Sequence, residues 1–289
     1  MIKHLSEKLQ LSERSIQNTI ELLDEGCTIP FIARYRKERT GSLDEVQIAA
    51  ISDLATKWRE MEKRKDTIRK TITEQGKMTP ELEKRIAECD NAETLEDIYL
   101  PFKPKRRTKA QVAREQGLEP LATLIMLGRE QRPEEAAKRF VKGEVKSAAD
   151  AIQGAQYIIA ETVSEDERSR HTVRRQFERD AIITSKVVKA KADTEEAAKY
   201  KDYFDWQEPL RRCPSHRMLA MRRGEAEGIL RVSISTDDEE CIERLKRNNV
   251  RCQGRCATLY REAVEDSYKR LLQPSIENEF ASNSRDKAE

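Results

Sequence analysis

The sequence predicts a mainly α-helical protein with many helices, a long central helix, a helix-turn-helix and one or a few short strands in its C-terminal third. Glycine and aromatic residues are scarce, since the 289 residues include 10 glycines and only 5% aromatics. Charged residues make up 37% of the chain, as is typical of helices with solvated faces. Apolar residues recur at helical spacing along most of the chain, and alternation appears only beyond Asp202.

The first clear helix carries Ile16, Ile20 and Leu23 on one stripe. Ser12 is suited to cap its N-terminus, and Gly26 is a fitting end.

A shorter helix is predicted next, capped by Thr28, with Pro30 in its first turn and Gly41 at its end. Its apolar side chains are expected to pack against the protein: Phe31, Ile32 and Tyr35. Its basic side chains are expected to reach outward: Arg34, Arg36 and Lys37.

One long helix of about 50 Å is predicted for residues 42–75, because Ser42 and Glu45 have the spacing of a capping box and Gly76 follows. Along this helix, residues at alternating steps of three and four form a heptad seam: Ile51, Leu54, Trp58, Met61, Lys65, Ile68 and Ile72. All of them are apolar except Lys65, which breaks the seam. We expect the seam to face the protein's own core, and a dimeric coiled coil is the alternative.

Thr79 with Pro80 begins another helix, and a further one begins at Thr94. Pro101 and Pro104 then enforce an extended loop. Helices follow at residues 110–116 and 120–127, with a turn at Gly117, which is the pattern of a helix-turn-helix near residues 108–128.

The chain is predicted to stay helical from Pro133. Ser164 and Glu167 have capping-box spacing and open a charged helix to about Lys191. Alternation within residues 228–235 predicts a strand, and two helices close the chain near residues 237–246 and 257–272. The predicted divisions are residues 1–76, 77–200 and 201–289.

The most informative charge pattern is a one-signed cluster that ends in the helix-turn-helix. Residues 103–114 hold six cations and no acid, although the whole chain has a net charge of only +2: Lys103, Lys105, Arg106, Arg107, Lys109 and Arg114. Such a cluster is suited to contact phosphates of RNA or DNA without reading sequence. Two alternatives are a solvated loop and a loop that forms salt bridges with acidic helices of the same protein.

Arg34, Arg36 and Lys37 form a second, weaker basic patch. Its alternative role is structural, through salt bridges to the long helix.

Catalytic chemistry finds little support, and we expect no enzyme. Gly224 and Gly228 lack the lysine of a phosphate-binding loop. Ser215 next to His216 does not make a triad, and Ser215 is expected to cap a helix instead. Six scattered cysteines and three dispersed histidines indicate neither a disulfide framework nor a metal site, so no cofactor or metal is expected. Without an apolar run of about 20 residues or a signal peptide, we expect a cytoplasmic protein that contacts no membrane.

Three segments resemble signature segments of the bacterial Tex family, and the likeness extends in order over essentially the whole chain. They are TIPFIARYRKERTGSLDE (residues 28–45), LEDIYLPFKPKRRTKAQVAREQGLEPLA (residues 95–122) and CPSHRMLAMRRGEAEGILRV (residues 213–232). Tex proteins are transcription accessory proteins related to a eukaryotic transcription elongation factor.

The resemblance implies a helical N-terminal region followed by a YqgF-type ribonuclease-H-like domain, helix-hairpin-helix motifs and an OB fold that binds RNA. We therefore expect this chain to be an N-terminal portion that precedes those domains. Its expected function is non-enzymatic nucleic-acid binding through phosphate contacts. The alternative is an interaction scaffold, whose partners would be RNA polymerase or the C-terminal domains.

Overall fold

The computed structural model describes residues 1–286, and the chain divides into two compact units, Met1–Lys103 and Pro104–Glu289. The mainly α-helical prediction is confirmed, because the described residues form sixteen α-helices and one small antiparallel sheet.

The first unit is entirely helical. Its helices are α1 (Ile2–Leu9), α2 (Glu13–Asp24), α3 (Ile29–Tyr35), α4 (Lys37–Thr40), α5 (Glu45–Glu74), α6 (Pro80–Glu88) and α7 (Ala92–Tyr99). Ser12 caps α2 and Thr79 caps α6, each accepting a hydrogen bond from the backbone N–H three residues on.

The long helix α5 begins three residues later than predicted, and the capping box at Ser42 and Glu45 is wrong. Asp44 is the N-cap; its carboxylate accepts from the Gln47 N–H, and the Gln47 side chain accepts from the Asp44 N–H. Ser42 instead lies in the left-handed region, with φ of 66°. Gly41 and Ser42 therefore form the turn that separates α4 from α5.

The seam on α5 faces the core of the unit, in two clusters. Near its start, Ile48 and Ile51 pack with buried residues of α1 to α3. Near its end, Ile68 and Ile72 pack with α6 and α7. Between them, Lys65 is buried with 2% of its surface exposed.

The second unit is built around α11. Its first five helices are α8 (Lys109–Glu115), α9 (Glu119–Leu127), α10 (Pro133–Ala137), α11 (Ala148–Glu165) and α12 (Glu167–Asp180). Helices α8, α9 and α10 pack against α11, whose Ala151, Ala155 and Ile159 are fully buried. The helix-turn-helix segment thus folds as α8 and α9 with a turn at Gly117, where φ is 77°. Contact of this segment with the phosphates of RNA or DNA stays a prediction.

The charged helix predicted to run from Ser164 to about Lys191 is wrong at both ends. Asp166 is the N-cap of α12, and its carboxylate accepts from the Ser169 N–H. The helix ends at Asp180, and β1 (Ile182–Val187) follows. Ile183 of this strand is fully buried by pairing with strands distant in sequence, and this tertiary contact overrides the helical pattern.

The sheet has the order β2-β1-β3, and both pairings are antiparallel. Strand β2 spans Asp205–Pro209 and β3 spans Leu230–Ser235, which confirms the predicted strand in this region. In the register, Ile183 lies opposite Glu208 on one side and Ile234 on the other.

The remaining helices cover the sheet and α11. They are α13 (Ser215–Ala226), α14 (Asp238–Asn249), α15 (Gly254–Ser267), a π-helical turn (Tyr268–Leu272) and α16 (Gln273–Asp286). Pro214 is the N-cap of α13, so the expected cap by the Ser215 side chain is wrong.

Candidate nucleic-acid interface

The basic loop of residues 103–114 leads directly into α8. Thr108 ends the extended segment by accepting a hydrogen bond from the Gln111 N–H as the N-cap of α8. The same hydroxyl donates to Glu161 of α11 at 2.9 Å. The cap is therefore tied to the central helix, and the loop before it is held close to an acidic residue.

Glu161 is the centre of a small ion cluster. Its Oε1 lies 2.7 Å from Nη1 of Arg114 and 3.8 Å from Nζ of Lys105. Lys105 also forms an ion pair with Glu165, one turn further along α11. The Glu161 side chain is only 12% exposed, so these contacts are less screened than ordinary surface pairs.

The charges of the cluster shift each other's proton affinity. Burial alone would raise the pKa of Glu161, but the hydrogen bond from Arg114 and the nearby charge of Lys105 hold it below its usual range. The pKa of Lys105 is lowered, because burial and the like charge of Arg114 outweigh the attraction of Glu161. Glu161 therefore stays ionised as a partner for both cations.

Two further cations of the loop have intramolecular partners. Arg107 donates to Glu115 at 2.8 Å, and both side chains are exposed. Lys109 places its ammonium 4.9 Å from the centre of the Tyr157 ring. Within residues 1–286, Lys103 and Arg106 have no ion-pair partner and are exposed. Lys105, Arg107 and Arg114 thus form salt bridges within the protein, as in the alternative interpretation of the loop. Lys103 and Arg106 remain available for phosphate contacts.

Helix α3 presents a different surface. Phe31 is 37% exposed and Tyr35 is 61% exposed, so the prediction that both would pack is wrong; only Ile32 of the three is buried. The core-facing side of this short helix carries Ile29, Ile32 and Ala33, which leaves Phe31 and Tyr35 on the opposite side. The two rings lie side by side, with their centres 5.3 Å apart and tilted by 46°.

The cations beside these rings have no carboxylate partner in the described part of the chain. Arg34 and Lys37 are exposed, and Arg36 lies with its guanidinium 5.0 Å from the Phe31 ring centre. By contrast, Arg39 forms ion pairs with Glu21 at 3.3 Å and Glu25 at 3.8 Å. The structural alternative for this patch, salt bridges to the long helix, is thus not found among these residues.

We call this surface the α3 face, defined by Phe31, Arg34, Tyr35, Arg36 and Lys37. The sequence held a signal for its aromatic half, since Phe31 and Tyr35 are four residues apart and must share one side of a helix. Spacing alone does not show whether an apolar side of a helix faces the core or the solvent, so the sequence favours the core for both rings.

Comparison with known families decides the relationship. The family model described as Tex central region-like matches residues 128–289, and the one described as Tex-like protein N-terminal domain matches residues 1–73.

The chain belongs to the Tex family.

Among its relatives is the transcriptional accessory protein Tex of Neisseria gonorrhoeae, 43% identical over 82% of this chain and 31% of that protein. Protein YdcI of Bacillus subtilis is 38% identical over 99% of this chain and 40% of the relative. The human S1 RNA-binding domain-containing protein 1 is 27% identical over 100% of this chain and 30% of the relative. The chain thus spans less than half the length of each of these relatives, and the resemblance to Tex seen in the sequence is confirmed.

In this Tex family chain, the described residues were compared with the requirements of a metal site and of a membrane-spanning helix. Within residues 1–286, no group of three or more His, Cys, Asp or Glu side chains is placed to hold a metal ion. Cys256 donates its thiol to the Glu130 carbonyl. No helix of this part is both long and apolar enough to cross a bilayer.

Replacing Glu161 by glutamine is expected to destabilise the second unit by about 1–2 kcal/mol at neutral pH, because Lys105 and Arg114 lose a poorly screened carboxylate. The folded-state pKa of Glu161 is lowered, so its contribution is present above the unfolded value of about 4.3 and is lost as the pH falls through the folded pKa. Urea unfolding of both proteins between pH 7 and pH 3 should show the difference narrowing in acid.

The matched control is Glu115→Gln, which removes the exposed partner of Arg107 and should change stability by less than about 0.5 kcal/mol. A difference between wild type and Glu161→Gln that stays constant down to pH 3 would contradict the ionised-partner role.

Proposed function

We propose that this chain is the helical region of a Tex-type transcription accessory protein that binds nucleic acid without catalysis. The α3 face contacts backbone phosphates through Arg34, Arg36 and Lys37 and stacks unpaired bases on Phe31 and Tyr35. The basic loop contributes weaker phosphate contacts, chiefly through Lys103 and Arg106. Base sequence is not read, because these groups address phosphates and ring faces.

The observation that carries this proposal is the composition of the α3 face. Exposed aromatic rings beside cations without carboxylate partners are the combination that single-strand-binding proteins use. Phe31 and Tyr35 offer two ring faces, while Arg34 and Lys37 extend on either side of Tyr35 in sequence. Glu38 is the one acid between residues 28 and 41, so the segment keeps an excess of positive charge.

The names of the relatives support the same function. The gonococcal relative is called a transcriptional accessory protein, and the human relative is named for an S1 RNA-binding domain. The non-catalytic part of the proposal is supported by the positions of Ser215 and His216. Both are exposed at the start of α13, where burial does not activate a nucleophile or a base.

Single-stranded RNA binding tests the α3 face. The triple variant Arg34→Gln/Arg36→Gln/Lys37→Gln should bind a labelled RNA roughly tenfold more weakly at 100 mM salt and with a shallower salt dependence, because up to three phosphate contacts are lost. Phe31→Ala/Tyr35→Ala should lose about 1–3 kcal/mol per stacked base with little change in salt slope. Fluorescence anisotropy at several salt concentrations measures both, with duplex DNA as a parallel probe.

The matched control is Lys63→Gln/Lys70→Gln/Lys77→Gln, which removes the same charge from exposed positions of the same unit. Its RNA affinity should stay within about threefold of wild type. Equal losses in the control and in the α3 triple variant would show a diffuse charge effect and no α3 site.

The second candidate function is the interaction scaffold, and one observation favours it. Leu127 at the end of α9 is 58% exposed and borders a shallow groove with Pro120 and Leu124. RNA polymerase and the C-terminal domains of longer Tex proteins are the proposed partners. Unchanged RNA binding by every α3 variant, together with capture of either partner by this chain, would favour the scaffold over nucleic-acid binding.

A further inference from the structure

A groove runs between α12 and α14 in the second unit. Asn248 donates to the Thr172 hydroxyl at 3.3 Å near one end, and Arg179 donates to Glu240 at 3.2 Å near the other. Sequence number rises along one helix as it falls along the other, so the helices are antiparallel. This register places Arg175 between the two ends, opposite the middle of α14.

Four arginines from the two helices line this groove: Arg175, Arg179, Arg244 and Arg247. The cavity has a volume of about 820 Å³, and Glu178 is the one carboxylate among its lining side chains. We call it the arginine groove. Its lining is strongly positive although the chain as a whole carries a net charge of only +2.

Two of the arginines are anchored by one carboxylate. Glu240 accepts from Arg179 at 3.2 Å and from Arg244 at 2.5 Å. The hydrogen bond from Arg244 holds the pKa of Glu240 below its usual range, with Gln176 and Arg179 adding to the effect. Fixed in this way, Arg179 and Arg244 form a rigid end of the groove, and each guanidinium has more donors than Glu240 can satisfy.

The other two arginines have no such partner. Among the side chains of residues 1–286, neither Arg175 nor Arg247 forms an ion pair or a hydrogen bond, and both are exposed. Like charges therefore converge along the groove, an arrangement that favours a bound anion.

The spacing of the cations indicates the kind of anion. Arg175 and Arg179 are four residues apart on α12, about 6 Å along the helix axis, and Arg244 and Arg247 are about 4.5 Å apart on α14. Charges spread along a groove fit a chain of phosphates better than one small ion, which would need them gathered around a point. The planar guanidinium forks suit bidentate contact with phosphate oxygens.

We propose that the arginine groove binds successive phosphates of a single-stranded nucleic-acid backbone, with Arg175 and Arg247 as the principal contacts and Arg179 and Arg244 as fixed supporting charges. This proposal rests on the proposed nucleic-acid-binding function, but it places a second contact surface in the other unit of the chain. Glu178, the one carboxylate in the lining, repels phosphates and limits the strength of the contact. Asp180 adds little repulsion, because it is already paired with Arg179 at 2.7 Å.

The test uses the full chain and a labelled 20-nucleotide single-stranded RNA. Arg175→Gln/Arg247→Gln is expected to bind roughly three- to tenfold more weakly at 100 mM salt, with a salt slope lower by about 1.4 for two phosphate contacts. The matched control is Arg139→Gln/Arg261→Gln, two exposed arginines of the same unit outside the groove, which should bind within twofold of wild type. Thermal unfolding of both variants establishes that they are folded.

Two further arms separate the outcomes. Arg175→Lys/Arg247→Lys keeps the charge but not the bidentate fork, so it should keep the wild-type salt slope and recover only part of the affinity lost in the glutamine variant. Inorganic pyrophosphate should compete only at concentrations far above those of an unlabelled oligonucleotide.

The proposal is overturned if the groove and control variants lose affinity equally, or if pyrophosphate competes as well as the oligonucleotide. If only the groove variant loses RNA affinity and the α3 variants bind normally, the groove proposal stands and the α3 face is not an RNA-binding site. If only the α3 variants lose RNA affinity, the α3 face stands and the groove proposal is overturned.

Discussion

Replacing Gly128 by alanine is expected to destabilise the second unit by about 3 kcal/mol. Gly128 follows the last residue of α9 with φ of 66°, a conformation that costs a residue with a Cβ about 1 kcal/mol. A Cβ at this position would also press against the Cβ of Cys252 and lie 2.6 Å from its Sγ. Overpacking of this kind typically costs a further 1–3 kcal/mol, because side chains or backbone must shift.

The matched control separates these two costs. Gly143 also has a positive φ, 56°, but a Cβ there would meet nothing within 4 Å. Gly143→Ala should therefore lose only about 1 kcal/mol. The chain has two tryptophans, so in a Trp58→Phe background the fluorescence of Trp206 reports urea unfolding of the second unit. Equal losses at Gly128 and Gly143 would contradict the close approach of Cys252.

Replacing Lys65 by glutamate is expected to destabilise the first unit by about 3–5 kcal/mol. The Lys65 ammonium donates to the Ala87 carbonyl at 3.0 Å and to Glu62 at 3.2 Å, in a site where its side chain is 3% exposed. A carboxylate would face both acceptors with no donor to offer. It would either remain an unpaired buried charge or take up a proton, and both cost free energy.

Lys65→Met is the control, because methionine matches the length of the stem and carries no charge. The Ala87 carbonyl loses one donor, at a cost of about 1 kcal/mol, while better apolar contact offsets part of it. In a Trp206→Phe background, Trp58 reports urea unfolding of the first unit. Methionine and glutamate variants of equal stability would contradict the predicted cost of a buried carboxylate at this site.

Lys65 marks the limit of what local spacing predicts in this fold. The spacing of apolar residues predicts the seam on α5 and identifies Lys65 as its one break. The structure shows that the break is buried and that the ammonium meets the last turn of α6. No local pattern indicates that contact, because Lys65 and Ala87 lie 22 residues apart.

In the candidate sites, too, the sequence identifies the charged residues but not their partners. The six cations of the basic loop were all found by sequence, but three of them form ion pairs with Glu115, Glu161 or Glu165. Glu161 lies 47 residues from Arg114, so its neutralising role depends on how α8 packs against α11. The arginine groove was missed for the same reason. Its cations belong to helices that are distant in sequence and adjacent only in the fold.

The sequence by itself determined the helical class, the main helices, the third strand and membership of the Tex family. These depend on periodicity, caps and contiguous motifs, which are properties of neighbouring residues. Only the tertiary structure decided which cations are free and which are paired. It also decided that Phe31 and Tyr35 face outward and that Arg175 and Arg247 share a groove. The physical reason is that charge and exposure are set by the nearest groups in space, and helix packing brings those groups from remote parts of the chain.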